Sequence, residues 1–198
     1  MKIDIDEVAR IRSDLVTFTR MAYARELSSG VSGNPSARLP GNPDYVLIKG
    51  TGKCFGEVDP EDFVLVDLDC NLIAGATRPS KEVKFHCGIY KERAEVGAVF
   101  HGHSAYTTAY VTAKGQMDFV TAASRALIGR AATVEFAPAG SDELAVMVID
   151  AFKDKDVKCC VLKTHGFVTV GADIAKAFYM GDVLEDNAKV VSIMASYK

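Results

Sequence analysis

Val8, Ile11, Leu15, Phe18 and Met21 recur at steps of three and four, with arginine and aspartate between them. That spacing gathers apolar side chains on one face of a helix and predicts one over residues 5–27, closed by Ser28-Ser29-Gly30. The period then changes. Short extended pieces follow at 36–39, 45–49, 63–67 and 71–74. Pro40-Gly41-Asn42-Pro43, Gly50-Thr51-Gly52 and Asp69-Cys70-Asn71 separate them, all turn chemistry.

Ser80 reads as the N-cap of a second helix that runs to about residue 93. The apolar run 96–103 is short enough for a buried strand, 104–113 reads as helix, and 133–136 as a further strand. Ser141 caps a helix whose first turn holds Asp142 and Glu143, where the positive end of the macrodipole favours them. Residues 158–163 and 167–170 predict a hairpin around Thr164-His165-Gly166. Ile174, Phe178, Leu184, Ala188 and Val191 mark a closing helix. With no repeat, low-complexity stretch or linker, the expectation is one α/β domain over residues 1–198. Strands without regular intervening helices argue for a mixed or antiparallel sheet over a doubly wound one.

Composition narrows the class. The chain has 198 residues, 48% apolar and 25% charged, with a net charge of −3. These values suit a globular chain with a substantial core and give no electrostatic footprint for nucleic acid or anionic membrane. No apolar run is long enough to span a membrane, and the first residues do not resemble a secretory leader. The five cysteines are odd in number and scattered, and Cys159-Cys160 sit in an apolar run. Reduced core thiols in a cytoplasmic protein fit this better than a disulfide framework.

Candidate chemistry lies in the four histidines. His101-Gly102-His103 ends a predicted strand, where residues two apart share a face and two imidazoles can converge on one ion. Gly102 points the other way and leaves room for close packing. His165 holds a similar place, after a strand and before a glycine. Three neutral imidazoles leave a zinc-type ion an open fourth position; the alternative is two stacked core histidines and an unrelated turn histidine. Glu82, near the start of the Ser80 helix, could be a fourth ligand or a base beside a metal-bound oxygen. His86, one turn on, reads as a packed structural histidine.

Two glycine-rich turns offer backbone N–H groups, hydroxyls and steric room for a phosphate: Ser32-Gly33-Asn34-Pro35-Ser36 and Gly50-Thr51-Gly52-Lys53. The start of the Ser80 helix could add its own N–H groups and the charge of Lys81. Neither turn matches a Walker or dinucleotide motif, and each alone is also an ordinary turn.

The ordered set of short stretches resembles the class II aldolase/adducin-type family across nearly the whole chain. The set is Ser32-Gly33-Asn34-Pro35-Ser36-Ala37-Arg38, Gly50-Thr51-Gly52, Asp59-Pro60-Glu61-Asp62, Pro79-Ser80-Lys81-Glu82, His101-Gly102-His103-Ser104, Gly140-Ser141-Asp142-Glu143-Leu144 and Thr164-His165-Gly166. The resemblance implies a three-layer α/β/α fold around a largely antiparallel sheet, usually a homotetramer with active sites between subunits. It implies one divalent ion per subunit, commonly zinc with manganese or cobalt as alternatives, on His101, His103 and His165, with Glu82 close enough to bind or leave it. It further implies a small phosphorylated ketose or sugar acid whose phosphate falls on the loops carrying Asn34, Thr51, Gly52 and Ser80; Lys81, beside them, could grip a phosphate or a substrate carboxylate, or be a solvated helix-start lysine. Glu82 would shuttle a proton beside a metal-stabilised enediolate, an intermediate shared by aldol cleavage, decarboxylation, dehydration and epimerisation.

Three departures bear on the reaction. Fuculose-phosphate aldolases typically have a second serine where this chain has Lys81, and a Lys-Glu pair there resembles the branch that decarboxylates 3-oxo-tetronate 4-phosphates. The tyrosine that family aldolases supply from a neighbouring subunit falls near Phe119, which cannot donate a proton; Tyr106 or Tyr110 could replace it, although helix packing is the favoured role for both. The chain ends at Lys198, without the longer tail of some aldolases. Ribulose-phosphate epimerases carry aspartate in place of Glu82, and adducin-type interaction domains lack the metal histidines. The expectation is a metal-dependent lyase of the aldolase type, with decarboxylase as the alternative.

Overall fold

In the computed structural model, which describes residues 3–197, the first amphipathic stretch forms α1 (Ile5–Ala24). Asp4 caps it, accepting from the Asp6 amide at 2.9 Å. The helix ends three residues before the expected 27 because Glu26 takes a left-handed backbone, φ 61°. The Leu27 amide then bonds back to the Ala22 carbonyl at 2.9 Å, which satisfies a helix-end acceptor.

The strands are β1 (Asn34–Leu39), β2 (Asn42–Lys49), β3 (Phe63–Asp67), β4 (Leu72–Ala74), β5 (Ala98–Gly102), β6 (Ala132–Val134), β7 (Cys159–Leu162) and β8 (Gly166–Gly171). They form one eight-stranded sheet in the order β4-β3-β2-β1-β5-β8-β7-β6. Every pairing is antiparallel except β6 with β7. The remaining helices are α2 (Val83–Glu92), α3 (Ala105–Lys114), α4 (Ala122–Leu127), α5 (Asp142–Lys153) and α6 (Ile174–Met194).

Strand alternation divides the core in two. Leu47, Leu65, Phe100, Cys159 and Val161 pack on one face with α1, α3, α4 and α6. Val46, Ile48, Val64, Val99, Cys160 and Leu162 pack on the other with α2 and α5. The result is the expected three-layer α/β/α arrangement around a largely antiparallel sheet.

Three local expectations need correction. Ser80 does not cap the second helix: its amide bonds to the Lys49 carbonyl at 3.2 Å and Gly50 bridges Pro79, so residues 79–80 are held extended beside β2. The helix begins at Val83, with Glu82 in the N-cap position. The strand expected over 133–136 stops at Val134, leaving Phe136 exposed. The short α4 was not expected, because its residues are small or polar up to Leu127 and show no apolar period; the Thr121 hydroxyl caps it by accepting from the Ser124 amide.

Candidate metal centre and anion pocket

Sheet register assembles the candidate residues. Asn34 of β1 lies opposite His101 of β5, and Gly102 lies opposite Phe167 on the other flank. His165, in the turn between β7 and β8, therefore arrives at the sheet end that carries His103. The approach is so close that a Cβ on Gly166 would sit 2.2 Å from the Gly102 carbonyl oxygen, so glycine is required there. The Gly50–Pro79 bridge likewise holds Gly50-Thr51-Gly52 against Ser80-Lys81-Glu82.

One donor atom from each of Glu82, His101, His103 and His165 lies within 4.8 Å of the others. His101 Nε2 is 2.9 Å from His103 Nε2 and 3.2 Å from Glu82 Oε2, and His165 Nε2 is 3.3 Å from Glu82 Oε1. The Phe167 carbonyl, 2.8 Å from His101 Nδ1, can only accept, so Nδ1 carries a hydrogen and Nε2 faces the cluster, where it donates to Glu82 when His101 is charged and offers a lone pair when a metal takes the proton's place.

Charge in the cluster is finely set. Burial works against a charged His101, but the Glu82 carboxylate and its hydrogen bond outweigh that and raise its pKa. Burial also works against the Glu82 carboxylate. The charge and hydrogen bond of His101, the Asn34 amide and His165 outweigh it and hold the carboxyl well below the usual range. Burial, then the charge of His101, push His165 down to about 4 and His103 to about 3, so both keep free lone pairs at neutral pH.

These residues fit a small divalent ion. Two imidazole nitrogens facing each other at 2.9 Å need a cation, proton or metal, between them. Glu82 Oε1 is buried without a hydrogen-bond partner among the described residues. Three nitrogens and a carboxylate oxygen are a zinc-type donor set.

A cavity of about 350 Å³ opens beside the cluster. Its lining includes Asn34, Thr51, Gly52, Ser80 and Lys81, all five residues expected at a phosphate, together with Glu82, His103 and His165. Asn34, however, is largely committed elsewhere: its amide nitrogen donates to Glu82 Oε2 at 2.8 Å, and its carbonyl oxygen meets His86 Nε2 at 2.6 Å. Sequence reasoning missed Lys49, which also lines this cavity and is only 1% exposed. Its ammonium contacts the Gly50 carbonyl at 3.3 Å and lies 5.7 Å from the Phe55 ring centre. Burial, partly offset by Asp62, pushes its pKa down to about 8. A lysine closing a buried strand just before Gly-Thr-Gly was the available signal.

His86 is the structural histidine expected, fully buried and pushed down to about 3 chiefly by burial. Its Nδ1 lies 2.7 Å from Ser36 Oγ, which in turn lies 2.8 Å from the Tyr90 hydroxyl. Neither alternative acid reaches the cavity within one copy of the chain. Tyr110 donates to Asp118 at 2.6 Å, which raises its pKa to about 12, and Tyr106 is exposed beside Lys189. Phe119 packs against the core on the α1 face.

The chain is similar to proteins of related description. An L-fuculose phosphate aldolase from Methanococcus maripaludis is 35% identical over 93% of this chain and 99% of its own length. A 3-oxo-tetronate 4-phosphate decarboxylase from Pectobacterium atrosepticum is 31% identical over 96% of this chain and 87% of its own. The crystal structure of YgbL from Klebsiella pneumoniae superposes with a TM-score of 0.87 at 26% identity, covering 96% of this chain and 92% of that one. Residues 13–192 match the family described as class II aldolase and adducin N-terminal domain. The chain belongs to the class II aldolase and adducin family.

Proposed function

We propose that this protein is a divalent-metal-dependent lyase that cleaves a carbon–carbon bond of a small phosphorylated ketose. The observation that carries the reading is the juxtaposition of Glu82, His101, His103 and His165 with a cavity walled by a buried lysine. His101, His103 and His165 would hold the ion, zinc or else manganese or cobalt, with Glu82 near enough to join them. When bound, the ion supplies Lewis acidity to the substrate's carbonyl and adjacent hydroxyl oxygens.

The chain's own groups do the rest. Lys49, the Thr51 and Ser80 hydroxyls, the backbone at Gly52, and Lys81 at the mouth receive the phosphate and orient the sugar toward the cluster. Asn34 holds Glu82 Oε2 in place, which leaves Oε1 as the atom available to the cavity. Glu82 Oε1 takes or returns the proton at the carbon or hydroxyl beside the carbonyl. The reading includes a cytoplasmic homotetramer with sites between subunits, in which a neighbouring copy supplies the acid that Tyr106, Tyr110 and Phe119 do not supply within one copy.

Decarboxylation of a 3-oxo-tetronate 4-phosphate is the second reading, and Lys81 favours it. This exposed lysine precedes Glu82 on the cavity wall, where it can pair with a substrate carboxylate. Incubating the metal-loaded protein with L-fuculose 1-phosphate and with a 3-oxo-tetronate 4-phosphate separates the two. Dihydroxyacetone phosphate from the first supports the aldolase; carbon dioxide from the second without dihydroxyacetone phosphate from the first overturns it.

A further inference from the structure

Away from the histidine cluster, a second cavity of about 350 Å³ lies between the β3–β4 turn and α2. Cys70 from the turn and Cys87 from the helix both line it, with Lys84 and Lys91. The turn is held firmly. The Asp67 carboxylate accepts from the Asn71 amide at 2.8 Å and from its side chain at 2.9 Å, and Cys70 adopts a left-handed backbone at φ 68°. The Asp67 carbonyl accepts from the Cys70 amide at 3.0 Å and from the Cys87 thiol at 3.5 Å. One oxygen therefore ties both cysteines together, the Cys70 amide and the Cys87 thiol converging on it.

The two thiols are unequal. Cys70 is half-buried, with its pKa brought down to about 7 chiefly by the neighbouring Cys87 thiol, Lys91 assisting. Cys87 is buried, and the neighbouring Cys70 thiol together with burial pushes its own far up. A half-buried thiolate beside a buried, protonated thiol on the wall of one cavity is the arrangement that favours attack by the first and resolution by the second. Cys159 and Cys160, by contrast, are buried on opposite faces of β7, and burial raises both.

We propose that Cys70 and Cys87 form a peroxide-sensitive oxidation site that closes to a reversible disulfide. The Cys70 thiolate attacks one oxygen of hydrogen peroxide, the O–O bond breaks, and hydroxide leaves as Cys70 becomes a sulfenic acid. The Cys87 sulfur then attacks the Cys70 sulfur, the S–O bond breaks, and the Cys87 proton leaves with the oxygen as water. Across the two steps, two thiols lose two electrons and one peroxide is reduced. The disulfide joins the β3–β4 turn to α2, outside the cluster that carries the proposed lyase chemistry.

The test is peptide mass mapping of the intact, metal-loaded protein after titration with hydrogen peroxide, with and without a sulfenic-acid trap. The expected product is a Cys70–Cys87 crosslinked peptide, two hydrogens lighter and restored by dithiothreitol. Closing this loop should raise the Tm by roughly 5–10 °C. In Cys87→Ser the trap should label Cys70, and in Cys70→Ser neither crosslink nor trapped Cys87 should form. Oxidation of Cys70 to sulfinic acid without the crosslink, or Cys54 oxidising first, would overturn the proposal. Lyase activity enters none of these readouts, so this result and the fate of the functional reading are separable.

Discussion

The carbonyl oxygen of Asn34 lies 2.6 Å from Nε2 of His86, and this contact orders every proton between Glu82 and Tyr90. Glu82 can only accept, so Asn34 must turn its amide nitrogen toward it and its oxygen toward His86. His86 then donates through Nε2 and accepts at Nδ1 from Ser36, which accepts from Tyr90. The chain has one self-consistent direction, so it holds the Glu82 carboxylate in one orientation.

Replacing His86 with phenylalanine keeps the ring and removes that donor, freeing the Asn34 amide to turn. The expected outcome is a fall in kcat/KM of about 10–100-fold, as for other partners that orient ligands. Ser36→Ala breaks the chain one link further out and should cost less. Steady-state kinetics with whichever substrate the protein turns over compare the two; equal losses would mean that the chain acts through packing alone.

Glu82→Gln keeps the size and removes the base. Turnover should drop by roughly 10²–10⁴-fold. Measuring bound metal in the same sample separates the two roles of the carboxylate: full occupancy assigns proton transfer, and lost occupancy assigns ligation.

Lys49 makes anion binding depend on pH. Its pKa is lowered to about 8, so the ammonium is present below that pH and lost above it. Inorganic phosphate should therefore bind best below about pH 8 and weaken by up to roughly tenfold per unit well above it. Lys49→Met should weaken binding at pH 7, flatten this profile and leave the Tm unchanged or higher, because a buried charge is removed. Calorimetric titrations with phosphate across this range read the effect; an unchanged profile in Lys49→Met would assign it to another group.

Gly166→Ala tests the close approach of the two histidine-bearing segments. The new methyl would meet the Gly102 carbonyl, so the β7–β8 turn must shift and carry His165 with it. A destabilisation of about 1–3 kcal/mol is expected by denaturant unfolding, accompanied by weaker metal binding.

What could be read from the chain followed from the range of each interaction. His101 and His103 share a strand end, so strand geometry alone places them on one face, and His165 shows itself by its turn. The five expected anion-binding residues fall on short loops or, for Asn34, at the start of β1, beside glycines and hydroxyls that announce themselves. Lys49 did not, because its burial depends on Phe55 and on the neighbouring strands. The His86–Ser36–Tyr90 chain stayed hidden for the same reason: it needs α2 packed across β1, about 50 residues away in sequence. Ser80 misled because its local pattern matches a helix cap: its hydroxyl does accept from the Glu82 amide at 3.3 Å, but pairing beside β2 holds the chain extended there and the helix starts only at Val83.

The account rests on the donor cluster, and bound metal per chain tests it most directly. Protein saturated with zinc and then freed of excess metal should carry one ion per chain by elemental mass spectrometry. His101→Ala and His103→Ala, each confirmed as folded by circular dichroism, should lose most of it. Full occupancy in both variants would contradict the account.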